Sequence, residues 1–262
     1  MGVQALHTLT MADIRRVGGK AASLGELLQT KQRVPRGFVV TADEQTVSPV
    51  LQNQILRMFD DLGLQRVAVR SSGVEEDGTD KSWAGQFATL LNVDRTGLID
   101  AIKACRASGQ TARAKAYGKA ARLAVLIQHM VQSDVAGVAF SAHPVTGNPD
   151  HIVIEAVYGL CEPLVSGTAT PDHFVLHKHS AIVLETDIAK KPTMLRWKNG
   201  QNQLLAVDTA RQHQPAIDDQ QLAQIAGLAR MVENHYGFPV DIEWTYENNV
   251  LYLLQARPIT TL

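Results

Sequence analysis

Cysteine is nearly absent. The 262-residue chain has two, Cys105 and Cys161, far apart in sequence. They cannot build a disulfide framework or a four-thiolate metal site, and a reducing cytoplasm is the expected compartment. Neither sign of charge is in excess: 25 Lys+Arg against 26 Asp+Glu leaves −1, which argues against a nucleic-acid backbone as partner. No apolar run approaches the ~20 residues of a membrane-spanning helix. Met1 to Thr10 lacks the basic-then-apolar layout of a signal peptide. There is no repeat, low-complexity tract or long charge block. What is present, 45% hydrophobic and 19% charged residues, suffices for a packed core. At roughly 150 residues per domain, it makes one large domain or two small ones.

The pattern is mixed. Val17-Gly18-Gly19-Lys20 opens a helix in which Leu24, Leu27 and Leu28 share a face. Val34 to Gly37 is a turn and Phe38 to Thr41 a strand. Helix is expected over Gln52 to Asp61, strand over Val67 to Arg70, a polar loop from Ser71 to Ser82, and helix over 97–121. Apolar runs at Leu123 to Met130, Gly137 to Phe140, His151 to Ala156 and Phe174 to Leu176 read as strands. The segment from about 186 to 215 is polar and weakly patterned, and carries no assignment. Gln220 to Tyr236 is an amphipathic helix ended by Gly237-Phe238-Pro239. Strands Val240 to Tyr246 and Val250 to Pro258 follow, joined by Glu247-Asn248-Asn249. Strands and helices without regular βαβ alternation indicate an α+β fold.

The last hairpin is the most informative piece. Residues two apart in a strand share a face, so Asp241 and Glu243 project together. A three-residue loop at 247–249 places Gln255 opposite Asp241 and Leu253 opposite Glu243, with Arg257 on the face of Gln255. Two acids, an amide and a guanidinium on an apolar sheet need partners or an ion. Their oxygens are hard ligands suited to Mg²⁺; the alternative is a salt bridge that closes the sheet. Three features could meet a phosphate. Gly18-Gly19-Lys20 stands at a helix start, where N–H groups and dipole favour an anion, though the P-loop spacing is missing; a solvated lysine is the alternative. Arg70, at a strand end, can clamp a phosphate bidentately or form a surface ion pair. Ser82 to Gln86 is a glycine-containing lid or a simple turn. His173, His177 and His179 would share a strand face, but with no companion cysteine or nearby carboxylate they read as a solvated face. His143 reads as a turn residue and Cys161 as structural.

Taken in order, these segments resemble the N-terminal ATP-binding domain of the phosphoenolpyruvate synthase and pyruvate phosphate dikinase family, and the similar domain of rifampicin phosphotransferases. The matching blocks are Val17 to Leu24, Val34 to Val40, Val67 to Ser72, Ala84-Gly85-Gln86 and Gln128 to Val131. Gly137 to Phe140, Pro171-Asp172, Asp241 to Trp244 and Gln255 to Thr260 complete the series. The resemblance implies one α+β, ATP-grasp-like nucleotide-binding domain over 1–262, with ATP held between subdomains of roughly 1–118 and 119–262. It implies that Lys20 and Arg70 bind the phosphates and that Gly85 and Thr89 belong to the phosphate-covering loop. Gln128 and the Met130-Val131 backbone border the adenine. Glu243 and Gln255 hold Mg²⁺, Asp241 supports them, and Arg257 lies on the phosphates. Phosphoryl transfer then proceeds by positioning and charge neutralisation.

This sequence departs from the family pattern in a shorter Val40–Val67 segment, in Cys161 where glycine is usual, and in His143 where an acidic or amide residue is usual. No phosphohistidine motif and no pyruvate-binding barrel follow in these residues. The resemblance therefore implies an ATP- and Mg-dependent phosphotransferase domain acting on an acceptor elsewhere, a histidine of a carrier domain. The alternatives are a kinase or ligase acting on a small molecule, and a non-catalytic nucleotide-binding subunit.

Overall fold

A computed structural model describes residues 2–44, 46–73, 89–117 (backbone alone over 109–117) and 123–260. The chain divides into two compact units, Met1–Met130 and Val131–Leu262. The division falls after the strand Leu123–His129 rather than at the expected 118/119, because that strand is the middle of the first unit's sheet.

In the first unit, β1 (Val3–Ala5) leads through two 3-10 turns into α1 (Ile14–Gln29). Then come β2 (Gly37–Val40), α2 (Pro49–Asp61), β3 (Arg66–Gly73), β4 (Thr89–Asp94), α3 (Leu98–Tyr117) and β5 (Leu123–His129). The sheet order is β1-β2-β5-β3-β4, and every pairing is antiparallel. Alternation divides its two faces. Phe38, Val40, Val67, Val69, Val125 and Ile127 form a core with Leu51, Ile55 and Phe59 of α2 and Leu98, Ile102 and Cys105 of α3. The opposite parity, including Ala68, Arg70 and Ser72, faces α1. Strand β3 runs on through Ser71 and Ser72, where a loop was expected. Polar residues suit this strand end because the Ser72 hydroxyl has a backbone partner in α1.

In the second unit, β6 (Val135–Phe140), β7 (His151–Tyr158), the short α4 (Glu162–Val165), β8 (Asp172–His177) and β9 (Val183–Asp187) are followed by a separate hairpin. That hairpin, β10 (Thr193–Lys198) and β11 (Gln201–Ala206), occupies the segment the sequence left unassigned. It turns at Asn199 and Gly200, whose φ angles are 52° and 81°, a combination these residues tolerate. Helix α5 (Asp219–Tyr236) begins with Asp218 and Gln221 in a capping box and stops at left-handed Gly237. Strands β12 (Val240–Glu247) and β13 (Val250–Pro258) complete an antiparallel sheet ordered β13-β12-β6-β7-β8-β9. Tyr246 Oη donates to Gln224 Oε1 at 2.7 Å, so the Ile242, Trp244 and Tyr246 side of the sheet faces α5. Asp241 and Glu243 lie on the other side.

The buried Asp172 carboxylate pins the irregular segments of this unit. It pairs with Lys191 and accepts from the backbone of Ala189 at 3.0 Å and of Ala216 at 2.7 Å. Charges this deep are sustained only when every lone pair has a donor.

Candidate functional site

In the first unit, α1 breaks at Gly18, where φ is 76° and ψ 166°. The break lets the helix restart against β3. A Cβ on Gly18 would stand 2.2 Å from the Ser72 carbonyl oxygen, so only glycine fits. Past the break, the Ala21 N–H donates to Ser72 Oγ at 3.2 Å. The hydroxyl thus satisfies one of the unpaired N–H groups that every helix start leaves, from a neighbouring strand. Lys20 is carried on this first turn, against the end of β3. Arg70 lies two residues before Ser72 on the same face, and its register partner across the sheet is Thr89.

Gln128 is the partner of Ala68 and therefore shares that face. The fold thus puts Lys20, Arg70, Thr89 and Gln128 on the α1 side of one sheet. Gln128 is buried and donates from Nε2 to the Pro35 carbonyl at 3.1 Å. The Met130 N–H donates to the Arg66 carbonyl at 3.0 Å, so that donor is already engaged. Met130 and Val131 are both buried, where the chain passes between the units. Gly85 lies outside the described residues.

In the second unit, the C-terminal hairpin differs from the expected register. Glu247 is the last residue of β12 and pairs with Val250, leaving a two-residue turn of Asn248 and Asn249 at φ 50° and 61°. Left-handed asparagines at both central positions make this a tight hairpin turn. Trp244 pairs with Leu253, but Glu243 pairs with Gln255 and Asp241 with Arg257. Leu254 is the extra residue of a β-bulge. The sequence reading, with Gln255 opposite Asp241 and Leu253 opposite Glu243, is corrected accordingly. The bulge brings Gln255 and Arg257 to the face of the two acids. Without it they would oppose Ile242 and Val240 on the other side.

Arg257 holds Asp241 Oδ2 through Nε at 2.8 Å and Nη2 at 2.6 Å. Burial nonetheless raises the Asp241 carboxyl above the ordinary carboxylate range; Arg257 opposes the rise, while Glu243 and Glu155 add to it. Glu155, which sequence reasoning did not single out, lies in the same row of the sheet. It lies on β7, one strand beyond Val138, which is itself the partner of Glu243. The sequence signal was a lone acid inside an otherwise apolar strand. Its meaning depends on which strands lie alongside.

The histidines separate. His173 and His177 share a face of β8, but His179 lies in the following turn, so the three do not line one strand. Carboxylates do stand nearby, contrary to the sequence reading: His173 Nδ1 is 3.7 Å from Glu155 Oε1, and His179 Nε2 is 4.0 Å from Asp150 Oδ1. Among the described residues, no three His, Cys, Asp or Glu are grouped to hold a metal ion. The His143 ring serves its own turn, Nδ1 accepting from the Val145 and Thr146 N–H groups at 3.2 and 3.3 Å.

Each unit thus presents one kind of chemistry. The first sets a lysine and an arginine at one end of a sheet. The second offers carboxylate and amide oxygens in register, a donor set of the hard type that suits Mg²⁺. Among the described residues, no helix is long and apolar enough to cross a membrane.

Residues 43–262 match the pyruvate phosphate dikinase, AMP/ATP-binding domain. The chain is 36% identical to the prodigiosin synthesizing transferase PigC of Serratia marcescens over 94% of its own length and 32% of that protein. It is 33% identical to a probable phosphoenolpyruvate synthase of Archaeoglobus fulgidus, over 100% of this chain and 42% of that one. The chain therefore spans less than half the length of these relatives. Among solved structures, PH1788 from Pyrococcus horikoshii is similar, with a TM-score of 0.50 and 10% identity over 96% of this chain and 94% of that one. Likeness at that level speaks to fold alone, which is α+β. The ordered blocks, the paired hairpin and the match over most of the sequence lead to one assignment: the chain belongs to the pyruvate phosphate dikinase AMP/ATP-binding domain family.

Proposed function

We propose that the chain binds ATP with Mg²⁺ and passes a phosphoryl or pyrophosphoryl group to a histidine acceptor outside residues 1–262, in a reducing, cytoplasmic setting. The observation that carries this reading is the register of the C-terminal hairpin, Glu243 with Gln255 and Asp241 with Arg257, in a member of an AMP/ATP-binding family. Lys20 and Arg70 take the phosphate charge, the lysine as a mobile point charge and the arginine as a planar fork. Thr89, beside Arg70, and Gly85 belong to the segment covering the phosphates. Gln128, Met130 and Val131 border the base. Glu243 and Gln255 hold the cation, and Asp241 keeps Arg257 aimed along the same face. Bound Mg²⁺ would neutralise charge on the phosphate oxygens. The chain's own residues orient the nucleotide and exclude water, and none is needed as a covalent nucleophile.

A second reading, transfer to a small-molecule acceptor or its ligation, is favoured by the similarity to the prodigiosin synthesizing transferase. One experiment separates the two. The purified chain is incubated with labelled ATP and either isolated histidine-carrier domains or candidate small molecules. AMP together with an acid-labile label on a carrier supports transfer to histidine. ADP formed only with a small molecule, together with either the phosphorylated molecule (transfer) or its ligated product and free phosphate (ligation), supports the second reading. ATP binding without any turnover makes the chain a non-catalytic nucleotide-binding subunit.

A further inference from the structure

We propose that Glu155 is a positioning residue of the cation site, receiving a hydrogen bond from a water on the ion that Glu243 and Gln255 hold. The proposal rests on the ATP–Mg²⁺ reading above. Its basis is one row across the second unit's sheet. Gln255, Glu243, Val138, Glu155 and His173 are successive register partners on β13, β12, β6, β7 and β8. Register partners project to the same face, here the face turned away from α5. Glu155 therefore stands on the same side as Glu243, with only a valine between them.

Distance decides the kind of contact. Two strand spacings put the Cα atoms of Glu243 and Glu155 about 9–10 Å apart. Oxygens that share one magnesium, each at about 2.1 Å, lie about 3–4 Å from each other. Glu155 is too far along the row for that, in keeping with the lack of any preformed three-residue metal group among the described residues. One intervening water adds a hydrogen bond of about 2.7 Å, and two glutamates leaning over a valine cover the sum. Magnesium keeps several of its waters, and those waters need acceptors. Carboxylates one layer out commonly fill that role and tune metal affinity about 10–100-fold.

One further observation bears on this role. His173 Nδ1 lies 3.7 Å from Glu155 Oε1, on the side away from Glu243, with both side chains about one-third exposed.

The test reads metal dependence of nucleotide binding rather than turnover. ATP is titrated calorimetrically into the wild-type chain and into Glu155→Gln, Glu155→Ala, Glu155→Asp and Glu243→Gln, across a Mg²⁺ series and in EDTA. Thermal melts of each variant are recorded in parallel. Glu155→Gln and Glu155→Ala are expected to raise the Mg²⁺ concentration for half-maximal ATP binding about tenfold. Binding in EDTA should be unchanged, and Glu155→Asp should recover part of the loss. If both variants keep the wild-type Mg²⁺ dependence within about twofold while Glu243→Gln loses it, Glu155 has no such role and the parent reading stands. If Glu243→Gln also keeps it, or the wild-type chain shows no Mg²⁺-dependent binding, the cation site itself is misplaced and the proposal falls with it. Failure of both Glu155 variants to fold makes Glu155 a structural residue and overturns the assignment.

Discussion

Glu243 and Gln255 face each other across the β12–β13 ladder only because Leu254 is extruded between Leu253 and Gln255. A strand side chain belongs to one face or the other, so a single inserted residue decides which side of the sheet Gln255 and Arg257 serve.

Deleting Leu254 should therefore leave a regular ladder, with Leu253 still opposite Trp244, Gln255 opposite Glu243 and Arg257 opposite Asp241. The expected result is a chain that keeps Mg²⁺-dependent ATP binding and the Asp241–Arg257 pair. Calorimetry of ATP binding with and without Mg²⁺ checks the first, and the Arg257 side-chain NMR resonances check the second. A deletion variant that has lost both would show that the face of Gln255 and Arg257 is not set by their register with Glu243 and Asp241.

Ser72→Ala removes the acceptor for the Ala21 N–H at the restart of α1. Loss of a helix cap costs about 1 kcal/mol, readable as a lowered denaturation midpoint. Because Lys20 sits on that turn, ATP affinity should fall as well. Gly18→Ala should be worse, since its Cβ would meet the Ser72 carbonyl at 2.2 Å.

These features differ in how legible they are in the sequence. Alternation along Val240–Glu247 placed Asp241 and Glu243 on one face correctly. The register did not follow, because Glu247 looks like a turn residue. In the fold it ends β12, with its carboxylate accepting from the Gln132 N–H at 2.7 Å. Ser71 and Ser72 look like a loop by polarity, and their place in β3 is visible only once α1 is set against them. The β10–β11 hairpin buries no residue fully, its strands being half-buried to exposed, so no core-facing alternation marks it; Asn199-Gly200 is its readable turn signal. The Gly18-Gly19-Lys20 helix start was readable because glycine permits the left-handed break that the fold uses.

Lys191→Met leaves the buried Asp172 carboxylate without its cation. Breaking one side of such a pair costs about 3–5 kcal/mol, although the Ala189 and Ala216 N–H groups remain on the carboxylate. Denaturant unfolding should show that loss. Adding Asp172→Asn in the same chain should restore part of it by removing the stranded charge.

Burial, with Asp218 adding to it, pushes the Tyr246 phenol above its ordinary value of 10.0. The unfolded chain therefore gives up this proton at lower pH than the folded chain. The stabilisation is complete below pH about 10 and is lost as pH climbs beyond it. Tyr246→Phe should cost about 1 kcal/mol at neutral pH through the lost bond to Gln224. It should also flatten the alkaline fall in stability, as followed by melts between neutral pH and strong alkali.

The most direct test of the central claim is the binding of ATP to the wild-type chain with and without Mg²⁺, beside Lys20→Ala, Arg70→Ala and Glu243→Gln. The account expects Mg²⁺-dependent binding by the wild type. It expects a loss of at least about tenfold, or about 1.4 kcal/mol, in each variant, with unchanged thermal melts. A wild-type chain that binds no ATP, or three variants that bind as it does, would contradict the account.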